Sequence, residues 1–119
     1  MAVLLAFSQL LNAARAVLDP GGFASYLGLP LAAPGDAGLL SVYALRAAFL
    51  GLFAIVLIAR RDLVGLKWFA LLAVLIPLGD FAVTYGAGAP AATVARHAGY
   101  VVYILATAGL LHRFTSRAA

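Results

Sequence analysis

Apolar residues run along this chain in four long stretches, separated by short polar or proline-rich segments. A helix needs about 20 mostly apolar residues to cross roughly 30 Å of hydrocarbon. The pattern therefore predicts four transmembrane helices, at about residues 2–18, 37–59, 63–85 and 93–112.

The first stretch is the least apolar of the four, because polar side chains interrupt it at Ser8, Gln9, Asn12 and Arg15. It has no basic segment ahead of it, which argues against a cleaved signal peptide even though Ala14-Arg15-Ala16 resembles a cleavage site. We predict a retained helix that relies on its neighbours to cover its polar side.

The segment 19–36 separates the first two predicted helices and contains three prolines and four glycines, which exclude a continuous helix. It also carries several apolar residues, Phe23 and Leu27 among them. We therefore predict an interfacial or re-entrant loop. The next linker, Arg60-Arg61-Asp62, predicts a tight turn.

Composition agrees with this pattern: 66% of the residues are hydrophobic and only 10% are charged, and the mean hydropathy is +1.08. Charged residues make up about a quarter of a soluble domain. The predicted fold class is thus all-α, a polytopic membrane protein with one domain over residues 1–119. The absence of cysteine excludes a disulfide scaffold, a thiolate metal site and a cysteine nucleophile.

The basic residues indicate membrane orientation. With four spans, both termini and the second linker share one side, and this side holds Arg60, Arg61, Lys67, Arg113 and Arg117. The opposite side holds Arg15 and Arg96 alone. The positive-inside rule then predicts that both termini are cytoplasmic. Because these residues follow topology, the excess of basic residues does not predict a nucleic-acid partner.

Each predicted helix carries polar residues at helical spacing. The stripes are Ser8, Asn12 and Arg15; Tyr43 and Arg46; Asp80 and Thr84; and Thr93, His97, Tyr100 and Thr107. Lipid cannot satisfy such groups, so we expect the four stripes to face one another within the bundle.

Arg46 and Asp80 are the two charges placed deepest. Side chains lean toward the N-terminus of their helix, and the two helices run in opposite directions, so the charges should point toward each other. One interpretation is an ion pair that locks two helices together. The other is a ligand or proton site, since ionisable groups within a membrane usually mark one.

The candidate binding residues are Arg46, Asp80, His97, Asn12, Tyr100 and Arg15. Arg46 would hold an anionic or carbonyl group, Asp80 would orient Arg46, and the neighbouring polar groups would donate hydrogen bonds. Asp80 and His97 are also candidate catalytic residues, as acid and base. The sequence has no histidine pair at ligand spacing and no glycine-rich phosphate loop, so we predict neither a metal nor a cofactor.

Short motifs in all four regions resemble a family of small four-helix bacterial membrane proteins of unknown function, similar in plan to the DoxX-like group. The motifs are YLGLP, LRAAFLGL, IPLGD and RHAGYVVYILA. The resemblance implies a bacterial plasma membrane and brings no established activity. The family pattern has an acid directly after the arginine, where this chain has Ala47. Because this acid is missing, the resemblance does not support a mechanism that needs two carboxylates.

These observations leave three functional hypotheses open. The first is a protein that binds a small lipophilic or amphiphilic ligand in a polar pocket in the outer half of the bundle. The second is a membrane-embedded isomerase or cyclase that uses Asp80 and His97. The third is an accessory subunit of a larger membrane complex. The lipid bilayer is a partner in each hypothesis. A homo-oligomer and a larger membrane complex are both open alternatives.

Overall fold

The computed structural model describes residues 1–117, which are helical for most of their length. The last two residues of the predicted domain, 118–119, lie outside the described part. Six helices follow in chain order: α1 (Ala2–Leu18), α2 (Pro20–Leu27), α3 (Ala37–Ala59), α4 (Leu63–Ala73), α5 (Leu75–Gly86) and α6 (Ala91–Arg117). A single 3₁₀ turn, Pro34–Asp36, precedes α3.

Three helical stretches are long and apolar enough to cross a membrane: Ala37–Ala59, Leu63–Gly86 and Ala91–Ser116. The helix α1 is apolar but shorter. Large apolar side chains cover the outside, for example Leu45 at 73% exposure and Phe49 at 65%. The chain is therefore a multi-pass membrane protein, and the predicted all-helical architecture is confirmed in this form.

Small residues hold α1 against α3. Ala13 and Ala16 of α1 are buried against Ala44 and Ala47 of α3. One turn further along α3, a Cβ on Gly51 would lie 2.8 Å from the Leu10 side chain and 3.0 Å from the Ala6 carbonyl oxygen. Such residues let two membrane helices approach closely, so that dispersion contacts replace the hydrophobic effect as the packing force.

The third membrane span is broken where a proline removes a hydrogen bond. Ala70 of α4 packs against Ile104 and Ala108 of α6, and the helix is interrupted at Val74 before α5 begins. Pro77 has no N–H to donate to the carbonyl four residues earlier. The break therefore lies in the turn that precedes Pro77, and Asp80 follows this proline by three residues.

The first linker contains a helix that the sequence analysis did not predict. Proline is tolerated at the first helical position, where Pro20 stands, and the Asp19 carboxylate accepts a hydrogen bond from the Gly22 N–H at 2.9 Å. Gly28, at φ 85°, ends α2. Phe23 anchors the helix, because it is only 2% exposed and its ring centroid lies 5.3 Å from that of Tyr43.

Candidate functional site

A cavity of about 60 Å³ lies among α1, the end of α2, α3, α5 and α6. We call it the polar pocket. Its polar lining residues are Ser8, Gln9, Asn12, Tyr26, Tyr43, Asp80, His97 and Tyr100. Leu5, Ile76 and Ile104 form part of its apolar wall. Polar groups from five helices therefore meet around one space inside an otherwise apolar bundle.

A histidine and a carboxylate from neighbouring helices form the centre of the polar pocket. His97 is 3% exposed, and its Nδ1 lies 3.9 Å from Oδ2 of Asp80. This distance is too long for a hydrogen bond, and Nδ1 has no hydrogen-bond partner among the described residues. The Asp80 side chain is 39% exposed. A small polar group in the cavity beside them could hydrogen-bond to both atoms at once.

Local structure fixes the orientation of this pair. Nε2 of His97 lies 3.5 Å from the Leu27 carbonyl oxygen at the end of α2, which directs the other ring nitrogen toward Asp80. Asp80 lies three residues after Pro77, and the Thr84 hydroxyl donates a 2.7 Å hydrogen bond to the backbone carbonyl oxygen of Asp80. A buried nitrogen without a hydrogen-bond partner lowers the stability of the folded protein unless a water or a ligand group bonds to it.

Tyr26 joins α2 to α1 and α6 at the edge of the pocket. Its hydroxyl lies 2.8 Å from that of Tyr100, and its carbonyl accepts a 2.7 Å hydrogen bond from Arg96. The guanidinium carbons of Arg96 and Arg15 lie 4.1 and 5.6 Å from the centroid of its ring. Cations in this position are attracted to the face of the ring. Arg15 therefore stands beside the polar pocket and does not line it.

The expected ion pair between Arg46 and Asp80 is absent, and this prediction was wrong. Arg46 is exposed on α3 and does not line the cavity. Within residues 1–117 the basic group that lies within 4 Å of an Asp80 carboxylate oxygen is the His97 imidazole, at 3.9 Å. The small residues of α3, Ala44 and Ala47 among them, determine which face packs against α1. Arg46 lies outside that face.

The structure thus brings together four of the six predicted binding residues: Asn12, Asp80, His97 and Tyr100 line one cavity, whereas Arg15 and Arg46 do not. Tyr26 and Tyr43 also line the cavity and were not among the predicted binding residues. Tyr43 belongs to the polar stripe predicted on this helix, which was a usable signal. Tyr26 gave none, since α2 itself was not predicted.

The chemistry of the polar pocket is hydrogen bonding and proton transfer. In the part of the chain that the structure describes, no three His, Cys, Asp or Glu side chains are grouped to hold a metal ion. The available groups are an imidazole, a carboxylate, an amide and phenolic hydroxyls. Such groups recognise a carbonyl or hydroxyl group, and the imidazole and carboxylate together can exchange a proton with it.

Comparison with known proteins gives one finding. A family model described as "Domain of unknown function (DUF4267)" matches residues 6–111, which include every polar residue that lines the pocket. The comparisons with curated proteins and with solved structures each gave no significant match.

Proposed function

We propose a function from the polar pocket of this chain, which belongs to the DUF4267 family: the protein binds a small lipophilic or amphiphilic ligand within the membrane. The observation that carries the proposal is the buried Nδ1 of His97, which faces a cavity beside Asp80 without a hydrogen-bond partner among the described residues. Ionisable groups inside a membrane are costly and usually serve a ligand or a proton.

The roles of the side chains follow from their positions. A hydroxyl group of the ligand accepts a hydrogen bond from Nδ1–H of His97 and donates one to the Asp80 carboxylate. Asn12 on α1 and Tyr100 on α6 offer further hydrogen bonds. A volume of about 60 Å³ holds only a few water-sized groups. The polar end of the ligand therefore enters the pocket, and its apolar part stays against the wall or in lipid.

Native mass spectrometry of the gently extracted protein tests the proposal. We expect a defined small mass on the wild-type chain, lost in Asp80→Asn and in His97→Leu. Arg46→Gln is the matched control, because it also removes a charge inside a membrane span but lies outside the pocket. A wild-type chain that carries no such mass, or pocket variants that retain it, would overturn the proposal.

The same pair of residues supports a second candidate, an isomerase or cyclase for a lipophilic substrate. The 3.9 Å separation of His97 and Asp80 places an acid and a base around one small group, and such catalysis contributes about 10²–10⁴-fold to a rate. If the ligand is isomerised by proton abstraction, it will take up deuterium from D₂O on the wild-type protein. Asp80→Asn should abolish that exchange. If the bound ligand takes up no deuterium on the wild-type protein, the isomerase candidate is excluded and only the binding proposal remains.

A third candidate, an accessory subunit, is supported by the exposure of Arg46. This arginine lies in a membrane-spanning helix among exposed apolar residues, Leu45 and Phe49. Charges at such positions usually face protein. A partner within the membrane would then supply a carboxylate. This candidate requires a stoichiometric polypeptide, a second copy or another chain, that co-purifies in mild detergent and is lost in Arg46→Gln.

The membrane and the orientation are part of the proposal. The turn between α3 and α4 carries Arg60 and Arg61, whereas the opposite end of the bundle carries Arg15 and Arg96 beside Asp19. This bias supports an orientation with both termini in the cytoplasm, and the resemblance to small bacterial membrane proteins supports a bacterial plasma membrane.

A further inference from the structure

We infer that a groove between α1 and α6 binds an anionic phospholipid, with the phosphate at Arg96 and an acyl chain along the helices. The groove has a volume of about 520 Å³ and lies between Leu4, Leu5 and Ser8 of α1 and Arg96, Gly99 and Tyr103 of α6. We call it the α1–α6 groove. It adjoins the polar pocket at Leu5, Ser8 and Tyr100, but the inference does not depend on a ligand in that pocket.

The α1–α6 groove is polar at one end and apolar along its length, as a phospholipid is. Arg96 and Tyr103 are seven residues apart on α6, a distance of about 10 Å along the helix. The Tyr103 hydroxyl donates a hydrogen bond to the Met1 carbonyl at 3.2 Å, which joins the two helices at the end away from Arg96. Leu4 is 63% exposed along the same wall. An acyl chain would cover this apolar surface.

The charged end presents an ordered guanidinium group. Arg96 uses an N–H to bond the Tyr26 carbonyl and stacks on the Tyr26 ring, with Arg15 against the same ring. Neither arginine pairs with a carboxylate among the described residues. The nearby Asp19 carboxylate instead caps α2 through Gly22. The remaining N–H groups of an arginine fit a phosphate in a bidentate manner.

The floor of the groove is open at Gly99. A Cβ built on Gly99 would meet no atom within 4 Å, so the space over this part of α6 is unoccupied by the chain. A large side chain at this position would fill the groove without displacing the protein. Gly109, on the same helix, is open in the same way but does not line the groove.

The experiment uses the full chain in mild detergent. The probes are phosphatidylglycerol, phosphatidylcholine with the same acyl chains, and inorganic phosphate, each scored by native mass spectrometry and by the shift in Tm. We expect the wild type to prefer phosphatidylglycerol. Arg96→Gln should lower its retention about fivefold, the effect of one basic residue near a lipid phosphate. Gly99→Phe should lose the lipid, and the matched control Gly109→Phe should retain it.

Each outcome decides part of the inference. Equal retention of the two lipids would overturn the preference for an anionic phospholipid, and unchanged retention by Arg96→Gln would overturn the phosphate contact. Retention by Gly99→Phe would overturn the groove as the location of the lipid. Inorganic phosphate that raises the Tm and displaces phosphatidylglycerol would show a site for the free anion and overturn the lipid. Asp80→Asn, which removes the ligand of the polar pocket, should keep the phospholipid. The two proposals can therefore fail separately.

Discussion

The side chain of His97 has one ring nitrogen, Nδ1, that is buried without a hydrogen-bond partner among residues 1–117. Replacing such a group by an apolar side chain of similar size is neutral or stabilising when nothing occupies the site. We therefore expect His97→Leu to keep the Tm of the ligand-free protein or raise it by a few degrees. The same variant should lose the ligand of the polar pocket in mass spectrometry.

Tyr100→Phe is the contrasting control, because its hydroxyl does have a partner, the Tyr26 hydroxyl at 2.8 Å. Removing a satisfied hydrogen bond costs about 0.5–1.5 kcal/mol, so its Tm should fall. A similar fall in His97→Leu would mean that the ring mainly holds α6 to the end of α2. A structural role would then be the better interpretation of His97.

Arg46 gives the second residue-scale prediction. Because it is exposed and outside the cavity, Arg46→Leu should leave the pocket ligand bound within about twofold. Its insertion into membranes should improve, since an arginine near the centre of a span costs about 2.5–3.5 kcal/mol. Mass spectrometry and membrane yield are the measurements. Loss of the pocket ligand in this variant would show that Arg46 does take part in binding it.

Much of the candidate site could be predicted from the sequence because polar groups in lipid have few alternatives to facing one another. That argument correctly grouped Asn12, Asp80, His97 and Tyr100. It misplaced Arg46 because a stripe of polar residues shows which residues share a face and not which face packs. On α3 the small residues decide this, and Ala47 and Gly51 turn the arginine outward.

At the scale of the helices, the contact of α1 with α3 depends on Gly51. Any side chain here would collide with Leu10 and the Ala6 carbonyl, and overpacking of this kind costs about 1–3 kcal/mol. Gly51→Val should therefore lower the Tm clearly. Gly38→Val is the control on the same helix, because a Cβ there would meet nothing within 4 Å. Equal effects of the two substitutions would show that helix propensity, and not the close approach, accounts for the loss.

The boundaries of the helices were largely predictable, and the exceptions have local causes. The helices α1 and α3 begin and end at the predicted residues, since apolar length determines a span. The helix α2 was missed because the prolines and glycines were used only to exclude a continuous helix over 19–36, and a short helix was not predicted. In the structure Pro20 begins it and Gly28 ends it. These residues are compatible with a short helix at its ends, although they exclude a long one.

At the scale of the whole molecule, α1 is the element whose crossing of the membrane needs explanation. Its 17 residues extend about 25 Å, less than a full span. Its polar residues Ser8, Gln9 and Asn12 line the pocket, and its small residues pack against α3. The rest of the bundle thus provides both the apolar contact and the hydrogen-bonding surroundings that lipid lacks. The sequence predicted this dependence but not which helix supplies the contact.

The orientation of the bundle can be tested directly, because the chain has no cysteine and a single introduced one is labelled without background. Gly35 and Ala87 are exposed at one end of the bundle, and Arg60 and Ser116 are exposed at the other. With a membrane-impermeant maleimide, Gly35→Cys and Ala87→Cys should react in right-side-out vesicles. Arg60→Cys and Ser116→Cys should react only in inverted ones.

The same labelling decides whether α1 crosses. If it does, a cysteine at Ala2 shares the side of Arg60, because α1 and α3 pack in opposite directions, Ala6 beside Gly51 and Ala16 near Ala44. Reaction of Ala2→Cys on the side of Gly35 would mean that α1 lies along one surface, and the polar pocket would then open to water. If every site reacted from the side opposite to the one predicted, the protein would have the reverse orientation in the membrane. Arg96 would in that case contact lipid phosphates of the cytoplasmic leaflet.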